Sequence, residues 1–431
     1  MDEFAIEGGH QLSGEVYPSG NKNAALPLLA ACLLTDQPVV LHNVPKIRDV
    51  QTMVQLVADV GAEVQEAGEH TLVITARDVH KAELSPRLCR DIRASILLAG
   101  PMLARCGQVE LPPPGGDIIG RRRLDTHFMA LQAFGANLGW TASSYRLSGP
   151  NLHGQDIFLD EASVTATENA LMAAVLIPGQ TIIRNAASEP HVQELARFLK
   201  SIGAQIEGIG TNMLTIEGVD CLRGGEHTIG PDYIEVGSFI GLAAATRSDL
   251  LIHDAAPEHL RMVLLAFGKL GVQVEIRGQD ILVHGDRDLE VVPDLHGAVP
   301  KIDDAPWPAF PADLLSVAVV MATQAKGTIL IHEKMFESRL FFVDKLIEMG
   351  AQIILCDPHR AVIVGPSRLH GERLESPDIR AGMAMLIAAL CAEGTSVIRN
   401  IGQIDRGYER IDEKLQALGA RIERHSDCDV T

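Results

Sequence analysis

Aromatic side chains are scarce in this chain of 431 residues: phenylalanine, tyrosine and tryptophan together make up 4% of it. Proteins that bind single-stranded nucleic acid stack bases on aromatic rings, so this composition removes their main device. Positive charge is also short, with 37 Lys and Arg against 56 Asp and Glu and a formal net charge of −19. A surface of that sign repels phosphate polyanions, which argues against nucleic acid and anionic membranes as partners. The longest apolar stretches, such as residues 24–34 with Pro27 inside, are about half the ~20 residues needed to cross a bilayer, so no membrane span is expected. The seven cysteines include no Cys-x-x-Cys pair and the sixteen histidines no His-Glu-x-x-His spacing. Neither a metal site nor a cofactor is expected, and a reducing compartment is. Met1-Asp2-Glu3-Phe4 lacks the basic and apolar segments of a secretory signal, which makes a cytoplasmic location the expectation.

What the chain has is repetition. A bulky apolar residue followed by Gly-Ala or a near match recurs six times, at Gly61, Gly135, Gly203, Gly271, Gly350 and Gly419, about seventy residues apart. Each copy ends an amphipathic run and precedes an apolar alternation, so the glycine falls where a helix stops and a strand begins. A second phrase, a branched strand ending at a polar residue, recurs at Val39-Val40-Leu41-His42-Asn43, Thr181-Ile182-Ile183-Arg184-Asn185, Thr328-Ile329-Leu330-Ile331-His332 and Ser396-Val397-Ile398-Arg399-Asn400. A period this long reads as a small α/β subdomain and not as a solenoid coil. Within each, the expected order is strand, helix, strand, helix and a strand pair. The last copy lacks a strand, and residues 4–8 read as the one that completes it. Six such units exceed one core. Two domains of three are expected, one over residues 22–230 and the other over 1–21 with 231–431, with ligands bound between them.

Two segments carry candidate chemistry. In Ser19-Gly20-Asn21-Lys22-Asn23-Ala24-Ala25-Leu26 a polar turn opens an apolar helix, and Lys22 beside outward-facing amides suits a phosphate or carboxylate. The Walker pattern is absent, and the segment reads equally as a plain helix cap. In residues 112–124, three prolines and the pair Gly115-Gly116 precede Arg121-Arg122-Arg123. Such a run makes either a lid over an anion, swinging at its glycines, or a solvated surface loop. Taken alone, Asp313 reads as a helix cap and Arg406 as a salt-bridge partner.

Together, Ser19-Gly20-Asn21-Lys22-Asn23-Ala24-Ala25-Leu26-Pro27, the Pro-Gly-Gly-x-x-Ile-Gly run from Pro114, Pro308-Ala309-Phe310-Pro311-Ala312-Asp313, Asp378-Ile379-Arg380-Ala381 and Asp405-Arg406-Gly407-Tyr408-Glu409 resemble the enolpyruvyl transferase family. The resemblance spans essentially the whole chain. It implies an α/β fold, a two-domain inside-out α/β barrel of six βαβαββ repeats, three per domain. It also implies transfer of enolpyruvyl from phosphoenolpyruvate to the 3-hydroxyl of UDP-N-acetylglucosamine with release of phosphate, the first committed step of peptidoglycan synthesis. By matching position, Lys22, Arg93, Arg122, Arg380 and Arg406 meet phosphoenolpyruvate. Asn23, Arg93, Leu124, Asp125, His127, Ser163, Val164, Asp313 and Met335 meet the sugar nucleotide. The resemblance makes Asp117, Asp313, Lys22 and Arg406 catalytic, with Asp313 as base for the hydroxyl and Asp117 as lid acid.

Most of the family carries cysteine where this chain has Asp117, the thiol that fosfomycin alkylates. A carboxyl has an ordinary pKa near 3.9 against about 8.5 for a thiol, so Asp117 must be desolvated over the substrates' negative charge to donate at neutral pH. Arg123, Thr165, Tyr233 and Ser338 stand where the family has Pro, Gly, Arg and Asn. Two other activities stay open. One is enolpyruvyl transfer to 3-phosphoshikimate, whose serine- and lysine-rich start and Gly-Asn-Ala-Gly-Thr segment are absent here. The other is a non-catalytic or altered-acceptor paralogue that binds a uridine nucleotide.

Overall fold

The computed structural model describes residues 2–117 and 119–426. The chain divides into two compact units: a first of residues 20–117 and 122–230, and a second of residues 2–19, 119–121 and 231–426. The division at 19/20 lies two residues before the boundary expected at 21/22. Residues 119–121, expected in the lid of the first domain, group with the second unit.

One repeat shows the pattern of all. Strand Lys301–Asp303 leads to helix Leu315–Gln324, strand Gly327–His332, helix Val343–Glu348 and strands Gln352–Asp357 and Arg360–Gly365. The first strand pairs parallel with Gly327–His332, which pairs antiparallel with Arg360–Gly365, itself antiparallel to Gln352–Asp357. Each unit holds three such sheets among the described residues. In the sheet of Gln108–Leu111, Asn137–Trp140 and Tyr145–Ser148, the parallel edge shrinks to a bridge between Glu83 and Glu110. Strand Glu3–Glu7 lies between Thr395–Arg399 and Arg421–His425, antiparallel to both, and so fills the place the last repeat leaves open.

Local chemistry explains the recurring residues. All six repeat glycines have positive φ, from 86° at Gly271 to 118° at Gly61 and Gly203, a conformation strained for any residue with a Cβ. The strand-ending Asn43, Asn185 and Asn400 also have positive φ, at 55°, 56° and 57°. Each Nδ2 donates to the carbonyl just past the parallel edge strand, Ile229, Leu159 and Ser376, at 2.9, 2.9 and 2.8 Å. Asparagine is chosen there because it tolerates the left-handed region and can tie two strand ends together.

The core of each unit is helical. Lys22–Ala31, Ala99–Cys106 and Val164–Ala174 in the first unit are buried over most or all of their residues, as are Tyr233–Ala245, Leu315–Gln324 and Ile379–Cys391 in the second. A helix apolar all round belongs inside, whereas Arg48–Asp59 and Pro190–Ser201 alternate apolar and polar faces and bury one. Small residues set the approach of the inner helices: a Cβ on Gly237 would stand 2.4 Å from Leu314 Cδ1, and one on Gly241 2.3 Å from Val317 Cγ1. Among the described residues, no helix is long and apolar enough to cross a membrane.

Candidate active site

In the first unit the expected residues sit at the starts of helices. Lys22 opens Lys22–Ala31 behind Asn21, whose Oδ1 accepts from the Asn23 and Ala24 N–H groups at 2.8 and 3.3 Å. Asn21 is therefore the cap, and Asn23 keeps its side chain for other partners. Lys22 Nζ lies 2.7 Å from Asp49 Oδ2. Arg93 opens the turn Arg93–Leu98, which packs against both Lys22–Ala31 and Val164–Ala174. Its Nη2 donates to the Arg122 and Arg123 carbonyls at 2.6 and 3.1 Å, bracing the end of the 112–124 segment. Burial, with the charge of Arg122, lowers the Arg93 guanidinium to about 10, still cationic at neutral pH.

Gly115 is held by backbone contact. Gly115 N–H donates to Cys89 O at 2.9 Å, and a Cβ on Gly115 would stand 1.8 Å from Arg90 O. Gly115 thus serves a close approach, contrary to the expectation that it lets the tip swing. Asp117 follows, half-buried. Within the second unit, Ile119 O accepts from Ser338 N–H at 3.1 Å and Arg121 N–H donates to Glu337 Oε2 at 3.2 Å.

Ser163 caps Val164–Ala174, its Oγ accepting from Ala166 N–H at 3.4 Å. Leu124 and the exposed Asp125 start helix Asp125–Ala133, where Arg123 reaches Asp125 at 3.1 Å and Asp160 at 3.4 Å. His127 differs from expectation. It is 2% exposed, its Nδ1 meets Asn169 Nδ2 at 2.9 Å, and its Nε2 meets Thr165 Oγ1 at 3.0 Å. Asn169 Oδ1 accepts from Gly100 N–H and its Nδ2 donates to Ile96 O, which orients the amide and makes His127 Nδ1 the acceptor. The proton is then on Nε2, facing Thr165. Burial, with Arg93 nearby, lowers the ring to about 3, so it is neutral. Both ring nitrogens are engaged inside the unit and neither is left for a sugar nucleotide. Thr165, where the family has glycine, supplies one of these partners.

The second unit gathers Asp313, Arg380 and Arg406. Its three buried helices pack on one another, with Asp313 in the turn Ala312–Leu314 just before Leu315–Gln324 and Arg380 second in Ile379–Cys391. Asp378 caps the latter helix, accepting from the Arg380 and Ala381 N–H groups at 2.8 and 2.9 Å. Arg380 Nε and Nη2 reach Asp313 Oδ2 at 3.1 and 3.0 Å, while Arg339 Nη2 reaches the other oxygen, Oδ1, at 3.0 Å. Burial alone would lower Arg380, yet the Asp313 carboxylate raises it well above the usual arginine value. Arg380 also lies 5.5 Å over the Tyr408 ring, whose hydroxyl is 2.9 Å from Ser238 Oγ. Arg406 ends the segment Ile401–Arg406, which packs on Ile379–Cys391, and its Nη1 donates to Gln403 Oε1 at 2.9 Å. Met335 is 41% exposed, and Tyr233, in place of the family's arginine, is buried edge-on to Trp307. Arg339 is the residue the sequence reading missed; the only signal was its place after Ser338.

Each unit therefore offers a cation at the start of a buried helix, Lys22 in the first and Arg380 in the second, where the helix dipole favours anions. In the second unit, a carboxylate held from both sides stands beside it. Among the described residues, no group of three or more His, Cys, Asp or Glu is placed to hold a metal ion.

Residues 6–415 match the family model described as EPSP synthase (3-phosphoshikimate 1-carboxyvinyltransferase). Curated relatives include the UDP-N-acetylglucosamine 1-carboxyvinyltransferase of Bradyrhizobium diazoefficiens, 60% identical over 98% of each chain. That of Treponema denticola is 56% identical over 98% of this chain and 99% of its own. The solved enolpyruvyl transferase NikO from Streptomyces tendae matches with a TM-score of 0.88 at 25% identity, covering 98% of each chain. EPSP synthase from Acinetobacter baumannii, at 17% identity and a TM-score of 0.76, covers 99% of this chain and all of its own and shares the fold. The chain belongs to the enolpyruvyl transferase family, alongside relatives named UDP-N-acetylglucosamine 1-carboxyvinyltransferase.

Proposed function

We propose that this protein transfers the enolpyruvyl group of phosphoenolpyruvate to the 3-hydroxyl of UDP-N-acetylglucosamine and releases phosphate. The observation that carries the reading is Asp313, a carboxylate clamped by two arginines at the start of a buried helix, in a chain 60% identical to a relative named for that activity. In the proposed reaction Asp313 accepts the hydroxyl proton as the oxygen attacks C2 of phosphoenolpyruvate, and Asp117 gives a proton to C3. Loss of a C3 proton and of phosphate from the tetrahedral adduct then restores the double bond. Lys22, Arg122, Arg380 and Arg406 offset the charge of the carboxylate and the leaving phosphate, and Arg93 braces the chain beside them. Asn23, Leu124, Asp125, Ser163, Val164 and Met335 are assigned to the sugar nucleotide. No cofactor enters this scheme. We read the fold as the inside-out α/β barrel of six βαβαββ copies, and the reaction as a cytoplasmic one that opens peptidoglycan synthesis.

A phosphate-release assay with phosphoenolpyruvate and UDP-N-acetylglucosamine tests the reading. Release that depends on both substrates is the expected result. Release with 3-phosphoshikimate as acceptor would select the sister activity, and nucleotide binding without release would make the protein a non-catalytic paralogue.

A further inference from the structure

We infer that the Thr165 hydroxyl donates a hydrogen bond to the diphosphate of the sugar nucleotide, and that Asn169 is the positioning residue that imposes this direction through His127. The inference rests on the proposed function, in which Ser163 and Val164 meet the sugar nucleotide. Thr165 and Asn169 lie one turn apart on helix Val164–Ala174 and so share a face. His127, on helix Asp125–Ala133, bridges them, with Nε2 3.0 Å from Thr165 Oγ1 and Nδ1 2.9 Å from Asn169 Nδ2.

The direction of this chain is set at its buried end. Asn169 is fully buried, and its neighbours leave its amide one orientation. The Gly100 N–H can only donate, so the atom 2.8 Å from it is Oδ1, and the Ile96 carbonyl can only accept, so the atom 2.8 Å from it is Nδ2. A Cβ on Gly100 would stand 2.3 Å from Asn169 O and 2.9 Å from its Oδ1, so glycine is required where that donor approaches. The other hydrogen of Nδ2 serves His127 Nδ1, which is therefore the bare nitrogen of the ring. Burial, with Arg93 nearby, keeps the ring neutral, and its one proton on Nε2 is donated to Thr165 Oγ1. Each bond then runs one way, from Asn169 to His127 to Thr165.

A hydroxyl that accepts from the ring keeps its own hydrogen for another acceptor. Among the described residues no second group is bonded to it. Thr165 is half-buried, second in its helix after the cap Ser163, at the end where the helix dipole favours negative charge. The anionic part of UDP-N-acetylglucosamine is its diphosphate, whose oxygens accept. With the opposite order Thr165 would donate to a bare Nε2 and turn only lone pairs to the phosphates. Glycine, which the family has at this place, offers no hydroxyl.

Calorimetry with UDP-N-acetylglucosamine tests the donor. Thr165→Val, which keeps the shape and loses the hydroxyl, should weaken binding about tenfold or more, and Thr165→Ser should restore it to within about threefold of wild type. UDP, which lacks the sugar, should show the same loss. Asn169→Ala should weaken binding about threefold or more in the wild-type background and less than about 1.5-fold on top of Thr165→Val. Histidine 15N NMR on the free protein reads the order without ligand: a His127 signal, missing in His127→Asn, with the proton on Nε2 and Nδ1 bare. Thr165→Val binding as tightly as wild type, Thr165→Ser as weak as Thr165→Val, a loss seen with the sugar nucleotide but not with UDP, or a His127 proton on Nδ1 overturns the inference. Equal Asn169→Ala losses in both backgrounds overturn the role of Asn169. A wild-type protein that binds neither nucleotide overturns the proposed acceptor instead, and the NMR still judges the order of the chain. If Asn169→Ala fails to fold, the wild-type spectrum and the two Thr165 variants decide.

Discussion

Lys22 and Asp49 form an ion pair at 2.7 Å between two buried residues, 8% and 5% exposed, that joins the first turns of two helices. Burying a charge pair costs desolvation, so its retention fits a cation that must be held still for a ligand. Asp49→Asn should destabilise the protein by roughly 2–4 kcal/mol in urea unfolding, because the ammonium stays buried without its counter-charge. It should also lower kcat/KM for phosphoenolpyruvate about tenfold. Wild-type values for both would show that Asp49 does not hold Lys22 for the substrate.

Asp117 is the acid proposed for the C3 proton. Asp117→Asn should lose turnover by about 100-fold or more while UDP-N-acetylglucosamine binds as before by calorimetry. A variant as fast as wild type would assign the C3 proton to another group.

Fosfomycin needs a thiolate to open its epoxide, and the lid offers a carboxyl in that place. Cys106, the nearest thiol before the lid in the chain, is half-buried, and burial raises its pKa, so it is a poor nucleophile. The enzyme should stay active after long incubation with the drug. Time-dependent loss with one adduct per chain by mass spectrometry would contradict this.

His127 sets a pH dependence of stability. Its ring titrates near 6.5 in an unfolded chain and, because it is buried, at about 3 in the fold. Between those values the unfolded state binds more protons, so the contribution is complete above about pH 6.5 and is lost as pH falls toward 3. Thermal melts from pH 7 to pH 4 should show a falling Tm whose slope flattens in His127→Asn. An unchanged slope would mean that other groups govern acid unfolding.

The repeat was readable in the sequence because its signals are backbone requirements. Gly61 and its five counterparts need positive φ, and Asn43, Asn185 and Asn400 need the left-handed region, so neither could vary freely. Lys22 was readable as a candidate because it opens an apolar helix behind a polar turn, whereas Asp313 and Arg380 entered only through the resemblance. Arg339 was not, since its meaning lies in Asp313, 26 residues earlier, and in Glu333, joined to it only by tertiary packing. Nor does Asp125-Thr126-His127-Phe128 reveal that Asn169 and Thr165 engage both ring nitrogens. Gly115 misled for a related reason: adjacent glycines look like freedom, yet one of them makes room for Arg90 O.

The position of Glu3–Glu7 between Thr395–Arg399 and Arg421–His425 bears on how the chain acquires its shape during synthesis. All strands of the first unit lie within residues 39–228, so that half can close its sheets while the rest is still being made. The second unit cannot, because Glu3–Glu7, made before the first unit, must wait for Arg421–His425, made after it, before it has neighbours on both edges. Until then its alternating apolar face, Phe4 and Ile6, is an unshielded sticky edge, and chaperone dependence should concentrate there.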